Sequence, residues 1–248
     1  MRWLMRATQA AFLLALVYFL ALAVRQLAAL DRRDLAQLGG AAGLTFLRVH
    51  AALLLGALWT VPVGVAIGSS ARLARIAQPL VQIAASVPAT ALFPVVVLLL
   101  IRAGGGMGTA ALALMLIGTQ WYILFNVIAG AMAIPADLRE AASIFRFGRW
   151  ERWRHLILPG IFPYLVTGLL TASGGAWNAS IVAEYFHFRG EILTARGLGA
   201  TISRATDQGH MDLLFAATIV MAVVVVSLNR LFWQRLYRLA QTRFKLEG

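Results

Sequence analysis

The sequence predicts an all-α integral membrane protein with six transmembrane helices and both termini in the cytoplasm. Three observations carry that expectation. Of 248 residues, 60% are hydrophobic and 13% charged, against roughly 45–50% and about 25% in a typical soluble domain. Mean hydropathy is +0.78. The chain also divides into six stretches without Asp, Glu, Lys or Arg, each suited to one helix crossing a hydrocarbon core that takes about 20 residues.

In order, the stretches are Ala7–Val24, Val49–Ala71, Ile76–Ile101, Ala103–Ala136, His155–Ala183 and Leu213–Asn229. The fourth and fifth are 34 and 29 residues long. Two spans would need about 40 residues, so each holds one span plus loop. The first stretch also has signal-peptide features, with Arg2 and Arg6 in front and Ala21-Leu22-Ala23 behind. Its apolar run exceeds the usual signal core of about 7–15 residues, which favours a retained helix.

Orientation follows from the arginines, because basic residues concentrate in cytoplasmic loops. With the N-terminus inside, the inner segments carry 13 of the 22 Lys and Arg and the outer loops six. Arg25, Arg48 and Arg230 fall within or at the ends of helices. The net charge of +12 is then explained by topology, and no nucleic-acid partner is required.

Several chemistries lack their residues. There is no cysteine and a single lysine, Lys245, so no P-loop lysine follows a glycine cluster. Gly104-Gly105-Gly106-Met107-Gly108 leads into Thr109 and reads as a turn. The four histidines, at 50, 155, 187 and 210, are scattered, so no metal site, catalytic residue or cofactor is expected. No ionisable residue sits at the centre of a span, where a proton relay would place one. No inverted repeat relates the two halves.

The segment from Ile134 to Pro159 is the most informative. Pro135 suits a helix start, and Asp137 and Glu140 favour its positive end. Gly148 reads as a stop. A second short basic helix is expected over Arg149–Leu158, ending at Pro159, with Trp150, Trp153, Leu156 and Ile157 on one face and arginines on the other. Such a helix lies at a membrane surface. The segment is either a loop tucked under the headgroups or a docking element, whose small surface at Ala141 and Ala142 enters a partner's groove.

Glu140-Ala141-Ala142 followed by Leu156-Ile157-Leu158-Pro159 resembles the EAA loop of permease subunits in bacterial binding-protein-dependent ABC importers. That family's pattern has Gly six residues after the Glu, which falls on Arg146 here, with Gly148 two residues late. The resemblance extends over roughly residues 44–240. It takes in Thr45 and Arg48, Trp59 to Gly68, Pro79 with Ser86-Val87-Pro88 and Phe93-Pro94, Trp121 to Gly130, Ile161 to Gly168, and Gly174 to Glu184. It is nearest to the nitrate, sulfonate and taurine permeases.

The resemblance implies a type I ABC importer permease in the bacterial inner membrane: a pore-forming, non-enzymatic subunit for a small anion. Its implied partners are cytosolic ABC ATPases, a second permease subunit and an external solute-binding protein. The implied organisation is an N-terminal helix and outer loop (1–43), a permease core (44–240) with the loop at 135–159, and a cytoplasmic tail (241–248). ATPase coupling falls on Asp137, Glu140, Ala141, Ala142, Arg146, Gly148, Leu158 and Pro159.

Candidates for the solute path are Arg48, Asn178, Ser180 and Glu184. Each has a simpler reading. Arg48 snorkels or pairs with an acid, Asn178 and Ser180 lie on a helix-packing stripe, and Glu184 is an interfacial charge. The long outer loop Glu184–His210, punctuated by Gly190, Gly197, Gly199 and Gly209, is the natural surface for an external partner. An autonomous channel or secondary transporter is the competing function; the missing intramembrane charges speak against it.

Overall fold

A computed structural model describes residues 2–28, 31–188 and 190–244; Lys245 and Arg189 fall outside them. Eleven α-helices run through these residues, two of them extended by π-helical turns, together with one β-hairpin. Helix α1 is Arg2–Ala28, α2 Arg32–Gly68, α3 Ala71–Ser86, α4 Ala89–Arg102 and α5 Met107–Met132. The loop holds α6 (Ala136–Ile144) and α7 (Arg149–Arg152), which passes through a π turn at Trp153–Ile157 into α8 (Leu158–Ala183). Strands β1 (Tyr185–Phe188) and β2 (Glu191–Thr194) precede α9 (Leu198–Gln208). Helix α10 (Met211–Leu228) continues through a π turn at Asn229–Trp233 into α11 (Gln234–Arg243).

Among the described residues four helical runs are long and apolar enough to cross a bilayer: Arg32–Gly68, Met107–Met132, Arg149–Ala183 and Met211–Arg243. Helices α3 and α4 meet at 79° and together are apolar enough for a broken span or a re-entrant loop. The bend falls where proline chemistry puts it. Pro88 disfavours helical geometry at the residue before it, and Val87 is extended, with ψ of 120°. Pro94 sits inside α4 without breaking it.

Helix α5 is the centre of the bundle, packed between α2 and α8. The core is aliphatic, with Val49, Leu53 and Val65 of α2, Met115, Ile123 and Val127 of α5, and Ile161, Ala172 and Trp177 of α8. Lipid tails are as apolar as the side chains, so helices gain from approaching closely, and small residues at the contact allow it. Gly68 shows the constraint. A Cβ there would sit 2.5 Å from the Ile128 carbonyl oxygen and 2.7 Å from the Ala131 Cβ. Gly68→Ala is expected to push α2 from α5 and cost about 1–3 kcal/mol, read as a lowered thermal midpoint in detergent. By contrast α3 leaves Leu73, Ile76, Leu80 and Ile83 at least half exposed, a face suited to hydrocarbon or another apolar helix.

Two expectations are corrected here. The helix that holds the second charge-free stretch does not begin at Val49: α2 runs unbroken from Arg32. Counting charge-free residues halts at Arg48, but that guanidinium pairs with Glu184 and the helix passes through it. The second short helix of the loop does not end at Pro159 either. Residues Arg149–Ala183 form one 35-residue run, in which Pro159 occupies the first turn of the α segment. A missing N–H costs little there.

Candidate functional site

Two groups of residues stand at opposite ends of α8. At one end, α6 is bound to the membrane helices by Arg139. Its guanidinium donates to the Ala131 carbonyl in the last turn of α5 and lies 3.5 Å from the Ser69 carbonyl just past α2. Carbonyls at a helix end lack intrahelical partners and carry its negative pole, so an arginine is well placed there. One residue thus ties the loop to two spans.

The side chains of α6 divide by face. Ala142 is only 5% exposed and lines a small cavity with Ile134, Arg152, Leu156 and Ile157. Ala141 is half-buried. The small surface expected to enter a partner's groove is therefore turned inward at Ala142, where alanine lets α6 close on the start of the α8 run. The outward surface consists of Asp137 and Glu140, both exposed, with Leu138 and an apolar tip at Ile144 and Phe145, 76% and 75% exposed. Trp150 is exposed as well. The sequence reading missed Ile144 and Phe145, although two large apolar residues at the end of a polar helix were a usable signal.

The turn after α6 departs from the expected stop at Gly148. The helix ends at Ile144, and Arg146 follows with φ of +54°, the only positive-φ non-glycine residue among those described. This is the position where the EAA pattern has glycine, which takes that conformation freely. Left-handed geometry costs an L-residue roughly 1–2 kcal/mol. Arg146→Gly is expected to relieve about 1 kcal/mol, seen as slower limited proteolysis of the loop. Gly148 instead opens α7: its N–H donates to the Glu151 carboxylate at 2.7 Å. Leu158 is exposed and Pro159 half-buried at the start of α8.

At the far end of α8 the chain brings together residues far apart in sequence. Glu184 has no exposed surface. Its carboxylate accepts from Thr45 Oγ1 at 2.8 and 3.0 Å, from the Arg48 guanidinium, and from the amides of Gly199 at 2.9 Å and Ala200 at 3.4 Å. Thr45 Oγ1 in turn accepts from the Leu198 amide at 2.9 Å. The second Arg48 nitrogen points at the Arg196 carbonyl, 3.3 Å away, and the Ala195 amide donates to the Glu184 carbonyl at 2.8 Å.

The first four amides of a helix have no intrahelical partner. In α9 the first three, on Leu198, Gly199 and Ala200, are taken by Thr45 and Glu184, residues of other elements. A capping residue normally supplies its own side-chain oxygen. Here Gly197 holds that position, and a Cβ on it would lie 2.1 Å from Glu184 Oε2. Gly199 is equally confined, since its Cβ would meet the Ser180 carbonyl at 2.2 Å. These glycines were expected as punctuation in a loop; they are the space that the Glu184 carboxylate and α8 occupy.

Of the four residues expected along a solute path, the structure brings Arg48 and Glu184 together. Ser180 is buried and donates to the Trp177 carbonyl at 2.7 Å. Asn178 is exposed on α8. The β1–β2 hairpin and α9 close this end. Tyr185 donates to Asp207 at 2.8 Å, and that hydrogen bond holds its hydroxyl above the usual tyrosine value.

A helical bundle with a braced polar loop at one end and a capped helix at the other, built on runs long and apolar enough to cross a bilayer, defines a helical membrane protein. The family comparison gives the class. Residues 60–244 match the family described as "Binding-protein-dependent transport system inner membrane component", and the chain belongs to it. Similar proteins include the nitrate import permease protein NrtB of Leptolyngbya laminosa, 29% identical over 185 residues, covering 74% of this chain and 62% of that one. The taurine transport system permease protein TauC of Escherichia coli is 28% identical over 190 residues, covering 76% and 64%. The bicarbonate transport system permease protein CmpB of Synechococcus elongatus is 28% identical, covering 74% and 63%. The matched region thus spans somewhat under two thirds of these relatives. Among solved structures, an inward-facing MetNI methionine ABC transporter chain aligns with a TM-score of 0.68 at 20% identity, over 85% of this chain and 99% of that one. The two chains share a fold.

Proposed function

We propose that this chain is a permease subunit of an ABC importer, forming the pore for a small anion and coupling it to a separate ATPase. One observation above all supports the reading. The exposed face of α6, with Asp137, Glu140, Ile144 and Phe145, stands on a helix braced to α2 and α5 by Arg139 and packed on the start of α8. A push on that face is delivered directly to the core spans. Asp137 and Glu140 meet the ATPase with the apolar tip. Ala141, Ala142, Arg146, Gly148, Leu158 and Pro159 shape the loop behind them.

The topology we assign has six spans: α1, α2, the bent α3–α4 pair, α5, α7–α8 and α10–α11. Both termini face the cytoplasm in this assignment, which the arginine distribution supports. A second permease subunit completes the pore and a solute-binding protein docks opposite the loop, near α9. The solute class follows the relatives, whose names specify nitrate, bicarbonate and taurine. Exposure of Asn178 on α8 supports assigning solute contact to it among the four candidates, with Arg48, Ser180 and Glu184 behind it.

Co-expression with its cognate ABC ATPase tests the reading. The two are expected to co-purify from detergent, and ATP hydrolysis is expected to rise with a solute-loaded binding protein. A chain that purifies alone and moves anions unaided would be an autonomous channel or secondary transporter.

A further inference from the structure

The Glu184 cluster does more than satisfy its own polar groups. It joins three elements at one buried point: α2 through Thr45 and Arg48, the end of α8 through Glu184 itself, and α9 through its first three amides. A second tie holds α9 along its length, where Ser203 Oγ donates to the Ile181 carbonyl of α8 at 3.2 Å. Leu198, Ala200, Ile202 and Ala205 are buried beneath it. Arg204, Thr206 and Gln208 are exposed.

The other end of the same rod is the loop. Residues Arg149–Ala183 are one helical run of 35 residues, about 52 Å at 1.5 Å per residue. Its first turns pack on α6, and the residue after its last turn is Glu184. A helix of that length transmits displacement only if both ends are attached to something. At the far end Glu184 and Thr45 grip α9 by its first three amides, and Gly197 leaves out the self-capping side chain that would otherwise have taken them.

A buried ion pair is a poor means of adding stability, because desolvation offsets most of the attraction and an apolar replacement is often as stable. What it supplies is a single geometry. All the acceptor positions of Glu184 are committed, and no rotated arrangement of α9 can reproduce them.

We infer that Glu184, with Thr45 and Arg48, is the positioning joint that makes α9 move as one body with α8 and the neighbouring part of α2, carrying motion from the loop to the opposite face during transport. The inference rests on the permease reading above. It assigns Glu184 and Arg48 a positioning role and leaves solute contact to other residues.

The test uses the reconstituted complex of this chain with its ATPase and binding protein, the latter loaded with nitrate, bicarbonate or taurine. Two variants are compared with wild type: Glu184→Gln, which keeps the side chain's shape, and the apolar pair Arg48→Leu with Glu184→Leu, which removes both charges so that neither is left buried alone. Hydrolysis without binding protein is expected to stay within twofold of wild type in both. Stimulation by the binding protein is expected to fall at least tenfold in both, even where the thermal midpoint of the apolar pair equals that of wild type.

A second readout uses the absence of cysteine in the chain. Spin labels at Val182→Cys and Gln208→Cys report the distance between α8 and α9. In the otherwise wild-type chain that distance is expected to be the same with and without trapped ATP, and to broaden with Glu184→Gln. Full stimulation in the apolar pair overturns the joint, since packing alone would then suffice. A change in the wild-type distance on trapping ATP overturns it as well. If the wild-type chain assembles with no ATPase, the permease reading fails first and takes the joint with it.

Discussion

Glu184→Ala is expected to cost the folded protein about 3–5 kcal/mol, the usual penalty for breaking a buried ion pair from one side. The size follows from what is left behind. The Arg48 guanidinium, 11% exposed, loses its counter-charge. The Gly199 and Ala200 amides lose their acceptor, and each buried unsatisfied donor costs about 1–3 kcal/mol. Water entering the vacated volume recovers part of that. Thermal unfolding in detergent, followed by tryptophan fluorescence, should show a large downward shift. Arg48→Leu combined with Glu184→Leu should recover the share due to the unpaired guanidinium, while the Gly199 and Ala200 amides stay without their acceptor. Thr45→Val, which removes one donor to Glu184 and the acceptor for Leu198, should couple non-additively with Glu184→Ala, because both act on one network. Additive losses would mean that the contacts do not act as a unit.

Ile144→Asp combined with Phe145→Asp is expected to reduce ATPase affinity at least 100-fold while leaving the chain's own stability unchanged. Both side chains are about three-quarters exposed, so the fold gains little from them. Apolar groups that become buried only on assembly contribute about 1.5–3 kcal/mol each, and a carboxylate in their place must be desolvated without a partner. A loss of about 2.7 kcal/mol corresponds to 100-fold. The measurement is ATPase retention during affinity purification across a concentration series, with the thermal midpoint of the isolated permease as control. Equal retention would move the docking face elsewhere on the loop. Ala142→Asp is a poorer probe of the same question: Ala142 faces the α8 run, and a charge there would disrupt the loop itself.

Much of the architecture was legible from residue order. Long apolar runs mark helices where a charge ends the run near the helix end, as at Arg102, the last residue of α4. The rule misplaced the start of α2 because Arg48 lies inside a helix, with its counter-ion 136 residues away. Helix α6 was announced by Pro135 and Asp137. Its end was not, because Arg146 takes a positive φ that is usually left to glycine. The hairpin strands are four residues each, too short for an alternating pattern to register. Helix α9 left one local sign: Gly209, with φ of +69°, closes it as glycine commonly does. Its start is marked by two glycines whose purpose appears only once Glu184 and Ser180 are placed against them.

Composition, the arginine distribution and the Glu140-Ala141-Ala142 pattern therefore specified a helical membrane protein of the permease class. Those signals are local or additive, since burial in lipid acts on each run of about 20 residues separately and loop charge acts through number and position along the chain. Which residues share a site was settled by packing. Thr45, Arg48, Glu184 and the amides of α9 form one group because α2 and α8 close on α5, and that closure follows from the summed fit of three helices. Which face of α6 looks outward was settled in the same way. Alanine and glutamate stand side by side in the motif, and the contact with the α8 run turns Ala142 in and Glu140 out.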